Sequence, residues 1–256
     1  MLNFFRRIRQ ALLSEGRLST PSTPTGRYLL YALGEIFLVM IGILLALQVN
    51  NWNQKRQESN LINFYFEKLH EEVEQQIIGT ENYITDFDGM SKNQIRTLEI
   101  LASKNEEDLT ELSQIIGSVA TIWTREYSLE TFEEFLQQGL LTKVKNEELK
   151  KLLEELKYRL IKIKNGDTYA EDQYNTLIEP YFAKNINYAN NALPRYRDGL
   201  IPGGPQTDFN ALIHSMELWN IATFKLETTN FQLNGLRKLL DTLVELKTTL
   251  EKELKQ

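Results

Sequence analysis

The chain has 256 residues, with 29 basic and 35 acidic side chains, a formal net charge of −6 at neutral pH and no cysteine. The lack of cysteine excludes disulfides, thiol nucleophiles and thiolate metal sites. The negative charge argues against a nucleic-acid partner, because phosphate is repelled and the basic cluster at residues 195–197 is small.

The first 13 residues predict a basic amphipathic segment on the cytoplasmic face of a membrane. As a helix, it would place its phenylalanines in the acyl boundary and its arginines among anionic head groups. The alternative is a positive-inside signal with some hydrophobic neighbours. The candidate membrane-surface contacts are Phe4, Phe5, Arg6, Arg7 and Arg9, with Trp52 beyond the apolar run that follows. Residues 14–26, rich in Ser, Thr and Gly, predict a linker.

Residues 28–49 predict a single transmembrane helix. From Tyr28 to Leu47 the chain is nearly all apolar, and about twenty residues with a rise of about 1.5 Å each cross the roughly 30 Å hydrocarbon core. A cleavable secretory signal is the competing interpretation. The apolar region of a signal peptide spans about 7–15 residues and ends in small residues at the cleavage site. The run in this chain is longer and is followed by Gln48 and an asparagine-rich stretch. We therefore expect the mature protein to keep this helix as its anchor.

The distribution of charge predicts the orientation of the anchor. Five arginines and one acid precede the span, whereas the chain after it carries 24 basic and 33 acidic residues. Because basic flanks are retained in the cytoplasm, the amino terminus should be cytoplasmic and residues 50–256 extracytoplasmic. Lys55 and Arg56 directly follow the span and reduce the asymmetry. In a Gram-negative cell, this orientation corresponds to the inner membrane with the main domain in the periplasm.

One face of the predicted span combines small residues with its single interior charge. At about 100° per residue, Gly42 and Ala46 share a stripe with Glu35, and small residues at this spacing let another helix approach closely. The stripe consists of Ala32 and the candidate interface or pore residues Glu35, Val39, Gly42, Ala46 and Asn50. A carboxylate that faces acyl chains is costly, so such residues normally face protein, water or each other.

Three interpretations of Glu35 stay open. It lies close enough to the cytoplasmic interface to be protonated or locally hydrated without any further role. It also suits a hydrogen-bonded interface with a partner helix or with a copy of itself. In the third interpretation, a ring of Glu35 side chains from several copies lines a cation or proton path. Leu38, Val39 and Ile43 would make the remaining wall of such a pore apolar.

Residues 50–256 predict an elongated all-α domain, because helix-forming residues dominate and no strand-like alternation persists. The anchor helix is expected to continue to Gly79. Further helices are predicted at about 81–103, 107–119, 128–138, 146–164, 167–192, 207–228 and 231–254. The predicted breaks include Gly139, Asn165–Asp167 and the loop Pro194–Pro205.

The last predicted helix carries leucines at heptad spacing. They are Leu233, Leu236, Leu240, Leu243, Leu250 and Leu254, and Lys247 occupies one position of the same seam. Such a helix suits an antiparallel bundle member or a strand of a coiled coil. About two hundred residues are enough for one bundle with its own core.

The sequence lacks the common motifs of catalysis and cofactor binding. Glu67 and His70 form one Glu-x-x-His pair of the kind found in di-iron bundles, but His214 has Ala211 where the second glutamate would stand. We interpret His70 as a surface histidine beside solvated acids at positions 71, 72 and 74. The expectation is a protein without enzyme activity, cofactor or metal.

Several aromatic residues are candidates for a binding groove. Aromatic side chains at helical spacing usually belong to the core, although exposed ones are able to line a ligand or partner surface. The candidates are Trp123, Tyr127, Trp219 and Phe224.

The amino-terminal part of the chain resembles a bacterial protein family. The basic segment FFRRIRQALLSE precedes YLLYALGEIFLVMIGILLALQVNNWNQKR, with the recurrent tracts GEI (34–36), IGI (41–43) and ALQVNNWN (46–53). This order is similar to that of an uncharacterised family of Bacteroidota-type single-pass inner-membrane proteins. Residues 131–139 and 143–149 are similar to a second recurring segment, more loosely. The resemblance implies the topology and a bacterial inner membrane, without implying a mechanism.

These features predict a single-pass, membrane-anchored scaffold or protein-interaction module of the bacterial envelope that self-associates. The alternative is a small homo-oligomeric cation or proton channel with Glu35 facing the pore. The expected partners are the lipid bilayer and either a second copy of the chain or the helix of another membrane protein.

Overall fold

The computed structural model describes residues 24–122, 127 and 129–255, with side chains described at residue 28 and from residue 32 onwards. Secondary structure in these ranges is helical and contains no strand, which confirms the all-α prediction. The chain divides into two compact units, Met1–Leu61 and Ile62–Gln256. The predicted amphipathic segment lies outside the described residues. The last three residues of the predicted linker belong to the first helix, which begins at Pro24.

The α-helices of the described chain are α1 (Pro24–Ser103), α2 (Leu109–Ile115), α3 (Glu130–Gln137), α4 (Glu147–Gln173), α5 (Glu179–Asn185), α6 (Tyr188–Asn191), α7 (Phe209–Leu212) and α8 (Met216–Glu253). A π-helix, Tyr174–Ile178, joins α4 to α5. A 3₁₀ turn, Ile116–Ser118, follows α2 directly. The predicted break at Gly139 is confirmed, because this residue has the left-handed φ of +68° just after α3.

Helix α1 runs through the position where the sequence predicts its end. Gly79 lies inside this helix of 80 residues, so the predicted break is wrong. Val73, Thr80 and Phe87 are buried at steps of seven residues, and the packed face therefore continues on both sides of the glycine. One glycine in a helix interior costs only about 1 kcal/mol relative to alanine, which packing of the flanking residues easily exceeds.

Helices α4 and α8 form an antiparallel pair. Asn146 caps α4 by accepting a hydrogen bond from the backbone amide of Leu149 at 3.1 Å. The same side chain donates to Glu253 at the end of α8, at 2.7 Å. At the opposite end, Gln173 donates to the backbone carbonyl of Phe224 at 3.3 Å. Helix α8 is thus paired within its own chain, as expected for a bundle member.

Two further predicted boundaries are wrong because tertiary packing overrides the local signal. The expected break at Asn165–Asp167 lies within α4, where Gly166 is buried and a Cβ would lie 3.1 Å from the Phe231 ring. The glycine therefore permits close approach of α8 instead of ending a helix. In the last region, Ser215 caps a helix that begins at Met216 and continues without a break near residue 230.

The core of the unit Ile62–Gln256 contains apolar clusters at three levels of the described helices. One joins the start of this part of α1 to α3, α4 and the end of α8. A small cluster consists of Phe87, Met90, Leu233 and Leu236. Another packs the end of α1 against α2, α5, α7 and the start of α8. The predicted heptad of α8 is correct in part, because Leu233, Leu236, Leu243 and Leu250 are buried. At its other positions the seam is displaced by one residue: Leu239 and Leu246 are buried, whereas Leu240, Lys247 and Leu254 lie towards the surface.

Candidate functional site

The stripe predicted on the transmembrane helix lies on a fully exposed part of α1. Glu35, Val39, Gly42, Ala46 and Asn50 are all exposed, and a Cβ at Gly42 would meet no described atom within 4 Å. Within the described residues, α1 is the one helix that is long and apolar enough to cross a membrane.

The predicted membrane-surface residues are described only in part. Phe4, Phe5, Arg6, Arg7 and Arg9 lie outside the described residues. Trp52 is exposed, and the Arg56 guanidinium lies 5.8 Å from the centre of its ring. An aromatic ring paired with a cation just beyond an apolar helix suits the boundary between acyl chains and head groups.

His70 and the neighbouring acid Glu72 make contacts that hold helices together. His70 Nε2 lies 3.3 Å from Glu251 Oε1 of α8. The expectation of solvated acids is wrong for Glu72, which accepts hydrogen bonds from the backbone amides of Thr131 and Phe132 at 3.0 and 3.2 Å. Burial raises the pKa of Glu72, and these two bonds oppose that shift. The described residues contain no group of three or more His, Asp or Glu side chains placed to hold a metal.

The candidate aromatic residues do not gather in one groove. Trp123 lies outside the described residues, and Tyr127 packs against Tyr83 with ring centres 5.9 Å apart. Trp219 and Phe224 are partly exposed on α8. Phe224 lines a shallow groove of about 450 Å³ beside the π-helix, together with Leu177, Pro180, Tyr181 and Ile221 among others.

The buried seam of α8 is a regular heptad that becomes polar in its first half. Buried residues recur at alternating steps of four and three along the whole helix. They are Leu218, Ala222, Lys225, Thr229, Gln232, Leu236, Leu239, Leu243, Leu246 and Leu250. Lys225, Thr229 and Gln232 are consecutive members, so about 10 Å of the seam is polar.

Polar residues of neighbouring elements lie at the same level as this part of α8. Ser91 on α1 donates to Asn230 at 3.0 Å, and Gln94, one turn further, donates to the backbone carbonyl of Ser118 at 3.0 Å. On the opposite side, Gln173 is bonded to the residue before Lys225. We call this region the polar layer; its buried members are Ser91, Gln94, Thr97, Ser118, Thr121, Gln173, Lys225, Thr228, Thr229 and Gln232.

The polar layer contains unusual unsatisfied groups. Four of its buried atoms make no hydrogen bond within the described part of the chain: Gln94 Oε1, Ser118 Oγ, Gln173 Oε1 and Thr229 Oγ1. Buried polar atoms in native proteins normally have a protein or water partner. An unmade bond of this kind costs about 1–3 kcal/mol.

Lys225 is the one charged residue among the buried members of the polar layer. Only 3% of its surface is exposed, and among the described residues it has neither a carboxylate nor a hydrogen-bond partner. Burial lowers the pKa of the Lys225 ammonium to about 8, without a contribution from a neighbouring charge. The burial of this residue is not predicted above; the signal in the sequence is a lysine at a seam position, with Ala222 three residues before it and Thr229 four residues after it.

Comparison of the chain with protein-family models, with curated proteins and with solved structures finds no match. The resemblance of the amino-terminal part to a Bacteroidota-type family therefore stays a prediction.

Proposed function

We propose that the protein is a single-pass, membrane-anchored helical scaffold or interaction module of the bacterial envelope, and that it self-associates through its anchor. The observation that carries the proposal is the exposed apolar part of α1, which continues into a helical unit with a buried core. A soluble protein rarely exposes a continuous apolar surface of this extent.

The energetic argument for lipid rests on the number of exposed apolar side chains. Between Leu33 and Val49, twelve large apolar residues are exposed. Burying each in hydrocarbon contributes about 1.5–3 kcal/mol, so transfer of the helix from water to a bilayer is favoured by at least on the order of 15–20 kcal/mol. That gain is much larger than the cost of one protonated or locally hydrated carboxyl group at Glu35.

Self-association is proposed from the composition of one face. Gly42 and Ala46 allow another helix to approach closely, and the carboxyl group of Glu35 on the same side offers a hydrogen bond to it. The second candidate function is a cation or proton channel in which Glu35 faces a pore. Glu35 is the single acid in the exposed apolar run, and this observation supports the channel candidate.

The proposed orientation places the amino terminus in the cytoplasm and the unit Ile62–Gln256 in the periplasm. The support is the excess of arginine before the span and of acidic residues after it. The exposed charges of the helical unit are compatible with an aqueous compartment on either side of the membrane. The support for the orientation therefore comes only from the charges that flank the span.

The absence of cysteine makes a direct test of topology simple. Single cysteines replace Ser19, before the span, and the exposed Thr248 on α8. In intact spheroplasts, a membrane-impermeant maleimide should label Thr248→Cys, and should label Ser19→Cys only after lysis. Sodium carbonate and high salt should leave the protein in the membrane fraction. Release by salt alone, or a first residue beyond Val49 in the mature protein, would refute the anchor.

Self-association is tested with two matched glycine variants. Gly42 belongs to the stripe, whereas Gly34 points to another side of the same helix and has equally open surroundings within the described residues. Crosslinking in native membranes followed by mass measurement should show oligomers for the wild type and for Gly34→Leu, and a loss of them for Gly42→Leu. A wild-type chain that is monomeric in both nanodiscs and native membranes would remove the proposal.

A further inference from the structure

Helix α4 carries an exposed basic surface whose lysines have no ionic partner within the described residues. The basic face consists of Lys151, Lys157, Tyr158, Ile161, Lys162 and Lys164, and Glu154 is the single exposed acid in this stretch. Tyr158 and Ile161 are 48% and 50% exposed. The Lys162 ammonium lies 5.5 Å from the centre of the Tyr158 ring. Exposed apolar groups among unpaired lysines suit an interaction surface.

The outer side of α1 carries the opposite charge. The acidic face consists of Glu67, Glu71, Ile78 and Glu81, which fall on one side of the helix at about 100° per residue. Its three glutamates are exposed and form no ion pair within the described part of the chain. A shallow groove of about 480 Å³ opens beside it, lined by Lys68, Glu71, Glu72, Glu74, Gln75 and Thr131. Ile78 is 52% exposed.

Contacts with α8 show that the two faces overlap in level. Lys247 pairs with Glu74 of α1 at 2.6 Å, and Glu253, further along α8, accepts a hydrogen bond from Asn146 of α4 at 2.7 Å. Because α4 and α8 are antiparallel and Lys247 is about six residues from Glu253, the residue of α4 level with Glu74 is about six positions after Asn146. That position is next to Lys151.

Helices α1 and α4 also run in the same direction. Ser91 of α1 is bonded to Asn230, which precedes Lys247 on α8, so α1 is antiparallel to α8 as α4 is. A step of about two turns along both helices leads from the level of Lys151 to that of Lys157, and on α1 to Glu81. Two units placed side by side in the same direction therefore bring unpaired lysines opposite unpaired glutamates.

We propose that the basic face of α4 packs against the acidic face of α1 in a second copy of the protein. Lys151 lies opposite Glu71 and Lys157 opposite Glu81, while Ile78 is covered by the exposed ring of Tyr158. This inference rests on the self-association proposed above and adds to it a contact outside the anchor. The contact is heterologous, because each copy uses α4 towards one neighbour and α1 towards the other.

A second copy fits these surfaces better than other anionic partners. An anionic bilayer or an acidic protein would compensate the lysines of α4 but leave the glutamates of α1 unpaired, whereas a second copy compensates both. Exposed ion pairs are individually weak. Anchors in one membrane hold neighbouring copies at a high effective concentration, so a weak contact between the units is sufficient.

A zero-length crosslinker tests the contact in the full-length protein. Copies labelled with light or heavy nitrogen are mixed, reconstituted together in liposomes and treated with a carbodiimide, which joins a lysine to a carboxylate in contact with it. Mass spectrometry should find peptides of mixed isotope that link residues 151–164 to residues 67–81. About 0.5 M sodium chloride should lower their yield, because it screens exposed charges.

Two charge-reversed variants give a matched test. Lys151→Glu with Lys157→Glu makes α4 acidic, and Glu71→Lys with Glu81→Lys makes α1 basic. In each variant alone, the mixed-isotope links should decrease by about fivefold or more, because like charges then face each other. A mixture of the two should regain links between positions 151 or 157 of the first and 71 or 81 of the second.

A control for charge alone uses Lys92→Glu with Lys104→Glu, since both lysines are exposed and lie outside the basic face. These substitutions should keep the wild-type links. Links that persist in Gly42→Leu would support the contact between the units while removing the proposed role of the anchor stripe.

Three results would overturn the contact. The first is a wild-type protein that forms oligomers without links between residues 151–164 and 67–81, which leaves self-association through the anchor intact. The second is persistence of these links in either charge-reversed variant. The third is protection of the α4 lysines from acetylation by anionic lipid at every protein density without any links, which would assign the basic face to the bilayer. A wild type that is monomeric in native membranes removes both proposals.

Discussion

The carboxylate of Glu72 accepts a hydrogen bond at 3.0 Å from the backbone amide of Thr131, a residue 59 positions later in the chain. Its second oxygen accepts from the amide of Phe132, so one side chain of α1 caps the amino terminus of α3. The negative charge also lies at the positive end of the helix dipole. This contact joins α1 to α3 beside Phe132 and Phe135, the two residues of α3 that belong to the first apolar cluster.

We expect Glu72→Gln to lower the free energy of unfolding by about 1–2 kcal/mol, because the amide keeps one acceptor oxygen and places an NH2 group against the second backbone amide. Glu74→Gln is the matched control, since Glu74 is an exposed acid of the same helix that pairs with Lys247. Denaturant titration in detergent should show the control close to the wild type. Equal destabilisation of the two variants would contradict the capping role.

Lys225 should make stability depend on alkaline pH. Its pKa is lowered by burial to about 8 in the folded chain and returns to about 10.5 on unfolding. Between these values the unfolded chain binds the additional proton, and stability therefore rises with pH. Relative to Lys225→Met, the free energy of unfolding should increase by about 3 kcal/mol across this range. Parallel pH profiles of the two proteins would show that the ammonium is not buried.

Two glycines of the helical unit should respond oppositely to alanine. At Gly117, a Cβ would lie 2.5 Å from the backbone oxygen of Asn191 and 2.8 Å from the backbone nitrogen of Leu193. Since backbone cannot move aside cheaply, Gly117→Ala should cost about 2–4 kcal/mol. Gly89 is exposed within α1 and has no described atom within 4 Å of its Cβ position, so Gly89→Ala should stabilise by about 0.5–1 kcal/mol. Chemical unfolding of the two variants checks both signs.

Glu35 distinguishes the interface from the channel. If the carboxyl group serves as a hydrogen-bonding group between helices, Glu35→Gln should retain assembly, whereas Glu35→Leu should weaken it by about 1 kcal/mol, or about fivefold. Proteoliposomes of the wild type should hold a proton gradient as well as empty liposomes do. A wild-type proton leak that disappears in Glu35→Gln would favour the channel and remove the scaffold.

Local sequence patterns predict some helix boundaries correctly and others wrongly. The break at Gly139 is found because a left-handed residue is a local requirement of the backbone. The breaks at Gly79 and at Asn165–Asp167 are absent because packing on a continuous face outweighs the weak helix propensity of one glycine. Four leucines of the predicted α8 seam are buried, at positions 233, 236, 243 and 250. The seam is displaced by one residue at Leu240, since neighbouring leucines at 239 and 240 fit the pattern equally well and only the partner helix selects between them.

The sequence by itself determined the all-α class, the single apolar run and the small-residue stripe around Glu35. These properties depend on composition and on spacing within a few turns, which a linear pattern records completely. Only the tertiary structure decided that Glu72 caps α3 and that Lys225 is buried with no carboxylate partner among the described residues. Whether a polar side chain faces water or another helix depends on residues far away in the chain, such as Gln173 and Phe224, which are 51 positions apart.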